Sequence, residues 1–351
     1  MGERQQRFSG TKQVAEHLRF DPQVLERYLA EQIEGFRGSL EVEQFKGGQS
    51  NPTYLLRAGG RRYVLRRKPP GKLLPSAHAV DREYRVLTAL AATDIPVPRT
   101  LCLCTDESVV GTMFFVMEFV EGRVLWEGTL PDSTPAERAG VYDAMNETLA
   151  KLHRVDYAAI GLETYGKPGN YFARQIHRWS RQYRASETGR IEAMERLLEW
   201  LPENVPEDDQ TTLVHGDYRL DNMIFHPTEP WVLAILDWEL GTLGHPLGDF
   251  TYHCMPWQTP RERGGLLGDD LEALGIPTLE QYVAAYCQRT GRERIEHWNF
   301  YAAYNLFRSA AIAQGIAGRV RDGTAASAHA REIARSVPGL AAQAWEAAQQ
   351  V

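Results

Sequence analysis

The spacing of apolar residues along this chain changes character repeatedly, and each change marks a change of structure. Over 12–36, Val14, Leu18, Val24, Leu25, Tyr28 and Leu29 recur every three to four positions, which predicts helix. From residue 40 the spacing becomes alternation. LEVEQF (40–45), TYLLRA (53–58) and RRYVLRRK (61–68) read as strands, and Gly59-Gly60 between the last two signals a tight hairpin. Helical spacing returns at 79–91, with Val80, Tyr84, Leu87 and Leu90 on one face. Strand-like runs follow at 97–104 and 112–120 (TMFFVMEFV).

After Glu121-Gly122 helical patterns dominate, at 135–154, 171–185, 188–202, 278–290 and 295–318. One β region, 213–237, interrupts them, and the Ala-rich stretch 325–350 reads as helix. The fold class that follows is α+β with two lobes. The first, 1–120, holds N-terminal helices, a five-stranded antiparallel sheet and one helix. The second, 121–351, is mostly helical around a hairpin at 213–237. Clefts between lobes are common ligand sites.

Composition narrows the function classes. The chain has 351 residues, 43% of them hydrophobic, enough for a sizeable core. A net charge of −7 argues against a dedicated nucleic-acid binder. The longest apolar run, VLAIL (232–236), is far short of a membrane span, and MGERQQRFSG has no apolar leader core, so a cytoplasmic location is expected. Of the four cysteines, Cys102 and Cys104 form C-x-C with no second pair, so buried thiols in a reducing compartment are expected rather than zinc ligands.

The chemistry concentrates in LVHGDYRLDNMIF (213–225) and LDWE (236–239). Asp217 and Asn222 stand five residues apart between two strand-like pieces, and the next strand delivers Asp237. Phosphoryl transfer wants such a set: one carboxylate for the acceptor's proton, and an amide with a second carboxylate for Mg²⁺. An ordinary polar turn uses the same residue types, and the flanking strands and Asp237 are what argue against it.

HGDYRLDN and LDWE resemble the catalytic and metal-binding segments of the aminoglycoside phosphotransferase and choline kinase superfamily, whose members share the bilobal protein-kinase-like fold. The resemblance implies ATP and Mg²⁺ as cofactors, Asp217 as catalytic base, and Asn222 and Asp237 as metal ligands. Arg219 stands where protein kinases carry a γ-phosphate-binding Lys, which makes it a candidate charge clamp. His215 is expected only to hydrogen-bond the loop backbone.

The first lobe offers matching parts for the nucleotide. Gly47, Gly48, Gln49, Ser50 and Asn51 lie in a strand-to-strand loop suited to covering phosphates. YVLR (63–66) stands where protein kinases read V-A-I-K, so Arg66 is the candidate phosphate cation, with Lys68 its rival. Glu83 is its expected carboxylate partner and Asp81 the second choice. Val64 is expected in the adenine pocket, and Met117 and Phe119 at the hinge that reads the adenine edge.

Within the superfamily, GGQSNPTYLL and the segment from Tyr63 to Leu87 look most like the phosphotransferase-like domains associated with acyl-CoA dehydrogenases. That resemblance implies a hydroxyacyl-CoA-type acceptor and a functional link to an acyl-CoA dehydrogenase. Arg174, His177, Arg178 and Arg181, Arg308, and six basic residues between Arg61 and Lys72 suit an anionic acceptor better than a polycationic antibiotic. Tyr252, Trp257 and Tyr304, with Trp179, are candidate walls of an acyl pocket. The alternatives are an antibiotic phosphotransferase and a nucleotide-binding pseudokinase or regulatory module. The retained Asp217, Asn222 and Asp237 argue against the pseudokinase, and the lack of an A-P-E segment after Asp237 argues against a protein kinase.

Overall fold

The structure is a computed structural model that describes residues 3–47, 51–71, 78–324 and 330–351. The chain divides into two compact units. One comprises Met1–Tyr165, His215–Gly241 and Pro256–Thr290; the other comprises Gly166–Val214, Thr242–Met255 and Gly291–Val351.

The first unit opens with α1 (Glu3–Phe8) and β1 (Thr11–Lys12), followed by α2 (Pro22–Gln32). The helix expected over 12–36 is therefore shorter. The Asp21-Pro22 pair starts it, with Asp21 as N-cap accepting from Gln23 N at 2.9 Å and Pro22 in the first turn. Strands β2 (Glu41–Phe45), β3 (Thr53–Ala58) and β4 (Arg61–Arg67) come next, then α3 (Val80–Leu90) and β5 (Thr100–Cys104). A one-turn α4 (Glu107–Val110) precedes β6 (Phe114–Glu118). The sheet is antiparallel with order β1-β2-β3-β4-β6-β5. It has six strands rather than five because Thr11 and Lys12 pair with Phe45 and Gln44, and a two-residue strand leaves no periodic trace.

Alternation along β4 sorts its side chains between two faces. Tyr63 and Leu65 join Leu25, Leu29, Leu56 and Val116 in a core beneath one face. Arg67, on that face too, is buried with its guanidinium over the Phe20 and Tyr54 rings. Val64 and Arg66 point the other way, toward a cavity.

The same unit holds α5 (Pro135–Leu152), β8 (Met223–Phe225), β9 (Val232–Ile235), α9 (Leu271–Leu274) and α10 (Leu279–Thr290). Thr134 and Glu137 form a capping box that starts α5. The second unit holds α6 (Tyr171–Ser186), α7 (Glu192–Glu203), β7 (Thr212–Val214), β10 (Thr242–Gly244) and α8 (Pro246–His253). It ends with α11 (Trp298–Arg321), α12 (Ala330–Arg335) and α13 (Val337–Ala348). Alanines 303, 310, 311 and 313 are buried along α11, and such small side chains let neighbouring helices approach closely.

The single hairpin expected over 213–237 resolves into two ladders. β8 pairs with β9, whereas β7 pairs with β10, a strand beyond the expected region. A three-residue strand carries too little pattern to specify its partner. All four cysteines are buried and free, as expected. Among the described residues, no helix is long and apolar enough to cross a membrane.

Candidate active site

The residues of LVHGDYRLDN fold back on one another after Val214. Gly216 adopts φ +79°, and a Cβ there would stand 2.8 Å from the Leu240 carbonyl oxygen, so glycine suits both the dihedral and the space. His215 is fully buried against the Trp238 ring, 4.7 Å between centroids. Its Nδ1 accepts from Asp217 N at 3.2 Å, which leaves Nε2 as the donor to the Leu236 carbonyl at 2.9 Å. His215 thus clamps backbone on both sides of the site, the role expected for it.

Asn222 Nδ2 donates to the Asp217 carbonyl at 2.9 Å and to Asp217 Oδ2 at 3.1 Å. The Asn222 carbonyl accepts from Leu236 N at 2.8 Å, the residue before Asp237. These bonds gather Asp217, Asn222 and Asp237 although fifteen positions separate the last two. Asp237 itself lies in the left-handed region, φ 64° and ψ 57°. That conformation is uncommon for a residue with a Cβ and clusters at functional sites. Arg219 is half-exposed and its guanidinium grips the Asp221 carboxylate through both Nε and a terminal nitrogen; Asp217 Oδ1 stands 3.9 Å away.

Arg66 is the hub of the opposite wall. Its Nε lies 2.7 Å from Glu83 Oε2, a terminal nitrogen donates to Asp237 Oδ1, and Glu239 Oε2 stands at 4.0 Å. Lys68, its rival, stands 4.0 Å from Asp81 instead. Burial opposes charge on Arg66, but Glu83, Asp237 and Glu239 together hold the guanidinium charged above its ordinary range. Burial pushes the Glu83 carboxyl up to about 7 against the pull of Arg66. Glu83, Asp237 and Glu239 offer carboxylate oxygens all within 4.8 Å of one another, a donor set that could hold a cation.

A cavity of about 720 Å³ lies against this cluster. Gly47, Val64, Arg66 and Glu83 line it from the sheet side, with Met117 in β6 and Phe119 just beyond it. Asn222 and Asp237 line it from the β8–β9 side. The structure therefore brings eight of the expected site residues to one cavity. Asn51 is fully buried beside Glu83, with no place in the cavity wall. Gly48, Gln49 and Ser50 lie outside the described residues.

The expected acceptor residues behave differently. In the second unit, Arg308 is buried with its guanidinium 4.9 Å from the Tyr252 ring and 5.7 Å from that of Trp179. Arg178 is exposed, and Tyr304 is buried edge-on to Phe172. In the first unit, Trp257 packs 4.6 Å from Tyr282 and donates to the Pro277 carbonyl, a core position. A stripe of aromatics at loop and helix positions does not by itself distinguish a pocket wall from packing.

Several residues at the cavity escaped the sequence reading. Phe8 stacks on Trp126 at 5.0 Å, and Gln5 Nε2 donates to the Val124 carbonyl at 2.9 Å. All three side chains line the cavity, and a Cβ on Gly47 would stand 3.1 Å from the Trp126 ring. Their contact spans the length from the N-terminus to the post-β6 connector, which no local pattern announces. Glu239 was visible in LDWE, two residues past Asp237, and that spacing was the available signal.

Comparison with known proteins assigns this arrangement to a family. Residues 41–298 match the model of the phosphotransferase enzyme family. The chain belongs to that family. A crystal structure from Ralstonia eutropha, provisionally designated an aminoglycoside phosphotransferase, is 54% identical, with a TM-score of 0.87 over 95% of this chain and 99% of that one. Acyl-CoA dehydrogenase family member 10 of Mus musculus is 46% identical over 340 residues. The match covers 96% of this chain and 32% of the mouse protein, so the chain spans about a third of that relative's length. A thermostable mutant of the aminoglycoside phosphotransferase APH(4)-Ia, solved with ADP and hygromycin B, shares the fold at 16% identity and a TM-score of 0.59, over 92% of this chain and 98% of that one. The phosphotransferase assignment carries with it the bilobal, protein-kinase-like α+β fold and places the chain with the small-molecule phosphotransferases of aminoglycoside phosphotransferase and choline kinase type.

Proposed function

We propose that this phosphotransferase is an ATP- and Mg²⁺-dependent kinase acting on a hydroxyl of a small anionic metabolite of the hydroxyacyl-CoA type. The observation that carries the reading is Arg66, held between Glu83 and Asp237 at a cavity that Asn222 also lines. Asp217 accepts the proton of the acceptor hydroxyl, with its carboxylate oriented by Asn222 Nδ2. The acceptor oxygen bonds to the γ-phosphorus, the bond from that phosphorus to the bridging oxygen breaks, and ADP leaves with the electron pair. Arg66 exchanges Asp237 for α- and β-phosphate oxygens. Arg219, at the edge of Asp217, stabilises the transferred group once it leaves Asp221.

The donor chemistry fits Mg²⁺. Asn222, Asp237 and Glu239 present oxygen donors, and the three-carboxylate cluster carries more negative charge than Arg66 alone offsets. The ion, when bound, supplies neutralisation of the phosphate charge. The ADP in the APH(4)-Ia complex supports a nucleotide as the phosphate donor. Val64, Met117 and Phe119 give the cavity an apolar strip for its base.

The acceptor class rests on the mouse relative's name and on charge. A basic face of Arg174, His177, Arg178 and Arg181 along α6 suits phosphates better than an aminoglycoside. The same relative's name supports a functional link to an acyl-CoA dehydrogenase. The provisional designation of the Ralstonia protein keeps antibiotic phosphorylation as the second reading.

The test is Mg·ATP consumption by the purified protein against panels of hydroxyacyl-CoAs and aminoglycosides, with Asp217→Asn as the control. Turnover on a hydroxyacyl-CoA is expected, and Asp217→Asn is expected to lower it by at least about 10² while nucleotide affinity is retained. Turnover on aminoglycosides alone would sink the acceptor class. Unchanged turnover in Asp217→Asn would remove Asp217 from the base role.

A further inference from the structure

Asn51 ends the loop between β2 and β3, where a polar side chain was expected to face phosphate. Its surroundings are different. The residue is fully buried, and its amide nitrogen donates to two carboxylates, Glu83 Oε1 at 3.0 Å and Glu239 Oε2 at 3.3 Å. Its Oδ1 accepts from His78 Nδ1 at 2.9 Å, and its backbone carbonyl accepts from Thr53 Oγ1 at 3.0 Å. The polar capacity of the amide is thus spent on protein groups from three separate segments.

We propose that Asn51 is a positioning residue that sets the Arg66–Glu83 pair and docks Glu239 beside it, so that the base of the phosphate-side loop, α3 and the segment after Asp237 take up the active arrangement together. The proposal rests on the kinase reading for its consequence, and on geometry alone for the positioning. Glu83 divides its two oxygens, Oε2 to Arg66 and Oε1 to Asn51. With one oxygen anchored by a neutral donor, the carboxylate is fixed in the rotation that presents the other to Arg66. The same NH₂ group stands between Glu83 and Glu239. It supplies donors where the two carboxylates would otherwise face one another, and it does so without adding charge. A longer or acidic side chain at this fully buried position cannot do both.

Two measurements test this. The first is a crystal structure of Asn51→Ala. Arg66 Nε and Glu83 Oε2, now 2.7 Å apart, are expected to separate beyond 4.0 Å. An unchanged pair overturns the positioning role whatever the substrate is. The second is steady-state kinetics on whichever acceptor wild type turns over. Asn51→Ala is expected to lower kcat about tenfold or more, with the KM for Mg·ATP within about threefold of wild type. A raised KM with unchanged kcat and an undisturbed Arg66–Glu83 pair would instead make Asn51 a phosphate contact.

Asn51→Asp keeps the volume and loses the donor. It is expected to be worse than Asn51→Ala, because it sets a further carboxylate against Glu83 and Glu239; an Asp tolerated better than Ala would reduce the residue to packing. Should Asn51→Asp not fold, the comparison moves to Asn51→Ala in a Glu239→Gln background. There the Asn51 effect is expected to shrink to about twofold, and an undiminished, multiplicative effect overturns the coupling. A wild-type protein silent on every acceptor would count against the kinase reading, and the crystal structure would still decide the role of Asn51.

Discussion

Asp237 shows how one residue's backbone sets the chemistry available to its side chain. At φ 64° and ψ 57° it departs from the strand direction of β9, and its carboxylate meets Arg66. A non-glycine residue held there stores on the order of 1 kcal/mol or more, sustained by the bonds on either side, Leu236 N to Asn222 and Gly241 N to Trp238. Asp237→Ala is expected to weaken Mg·ATP binding, measured by titration calorimetry, because it removes a carboxylate from the proposed cation-binding set. Unaltered nucleotide affinity would count against a metal-binding role. At this scale the sequence was informative about residue types. The order Asp217, Asn222, Asp237 was legible because short motifs carry their own spacing, and the Arg66–Glu83 pairing was implied by the resemblance to kinases. The burial of Asn51 was not, because a polar residue beside glycines reads the same whether it faces phosphate or protein.

Elements tell the same story with longer reach. Gly122, just after β6, lies so close to β8 that a Cβ on it would stand 2.3 Å from the Phe225 carbonyl oxygen and 2.4 Å from Ile224 Cγ2. That approach lets Arg123 and Phe225 exchange two backbone hydrogen bonds of 2.8 Å, and the Arg123 side chain adds one to the His226 carbonyl. The connector leaving the sheet is thereby stitched to the strand that follows Asn222. Gly122→Ala is expected to destabilise the protein by about 1–3 kcal/mol, the usual cost of overpacking, read as a lower denaturant midpoint. A loss under about 0.5 kcal/mol would mean that the stitch yields easily. Sequence periodicity located β2 to β4, α3, α5 and α10 within a few residues, since each carries a run of regularly spaced apolar positions. It failed for β1 and for the pairing of β7 with β10, where strands of two or three residues depend on partners far along the chain.

For the whole molecule, one contribution to the response to acid comes from a buried histidine in the second unit. His245 caps α8, its Nδ1 accepting from Leu247 N at 3.2 Å, and it stacks on Tyr301. Burial, with Arg292 adding to it and Asp208 opposing, pushes its imidazole down to about 4. Above pH 6.5 neither folded nor unfolded chain protonates it. Between about 6.5 and 4 the unfolded chain takes up the proton and the folded chain does not, so stability falls, by up to roughly 3 kcal/mol, and levels off below. His245→Asn retains a capping acceptor and has no proton to gain. Its denaturant midpoint is expected to fall less steeply over that window, and an identical acid slope in both proteins would exclude His245 as the cause. At this scale one compact unit gathers chain segments far apart in sequence, since 215–241 and α10 group with the sheet-bearing N-terminal part. What the sequence determined by itself was the kind of chemistry and the kind of fold, since both are written in local order: periodicity, caps, and motifs whose members lie within a few residues of one another. What only the tertiary structure decided was which of those groups meet. Arg66 and Asp237 are 171 positions apart and Asn51 and Glu239 are 188 apart. No pattern in the intervening chain encodes such contacts; they arise when the sheet and the β8–β9 hairpin bury their apolar faces and fix the polar side chains left between them.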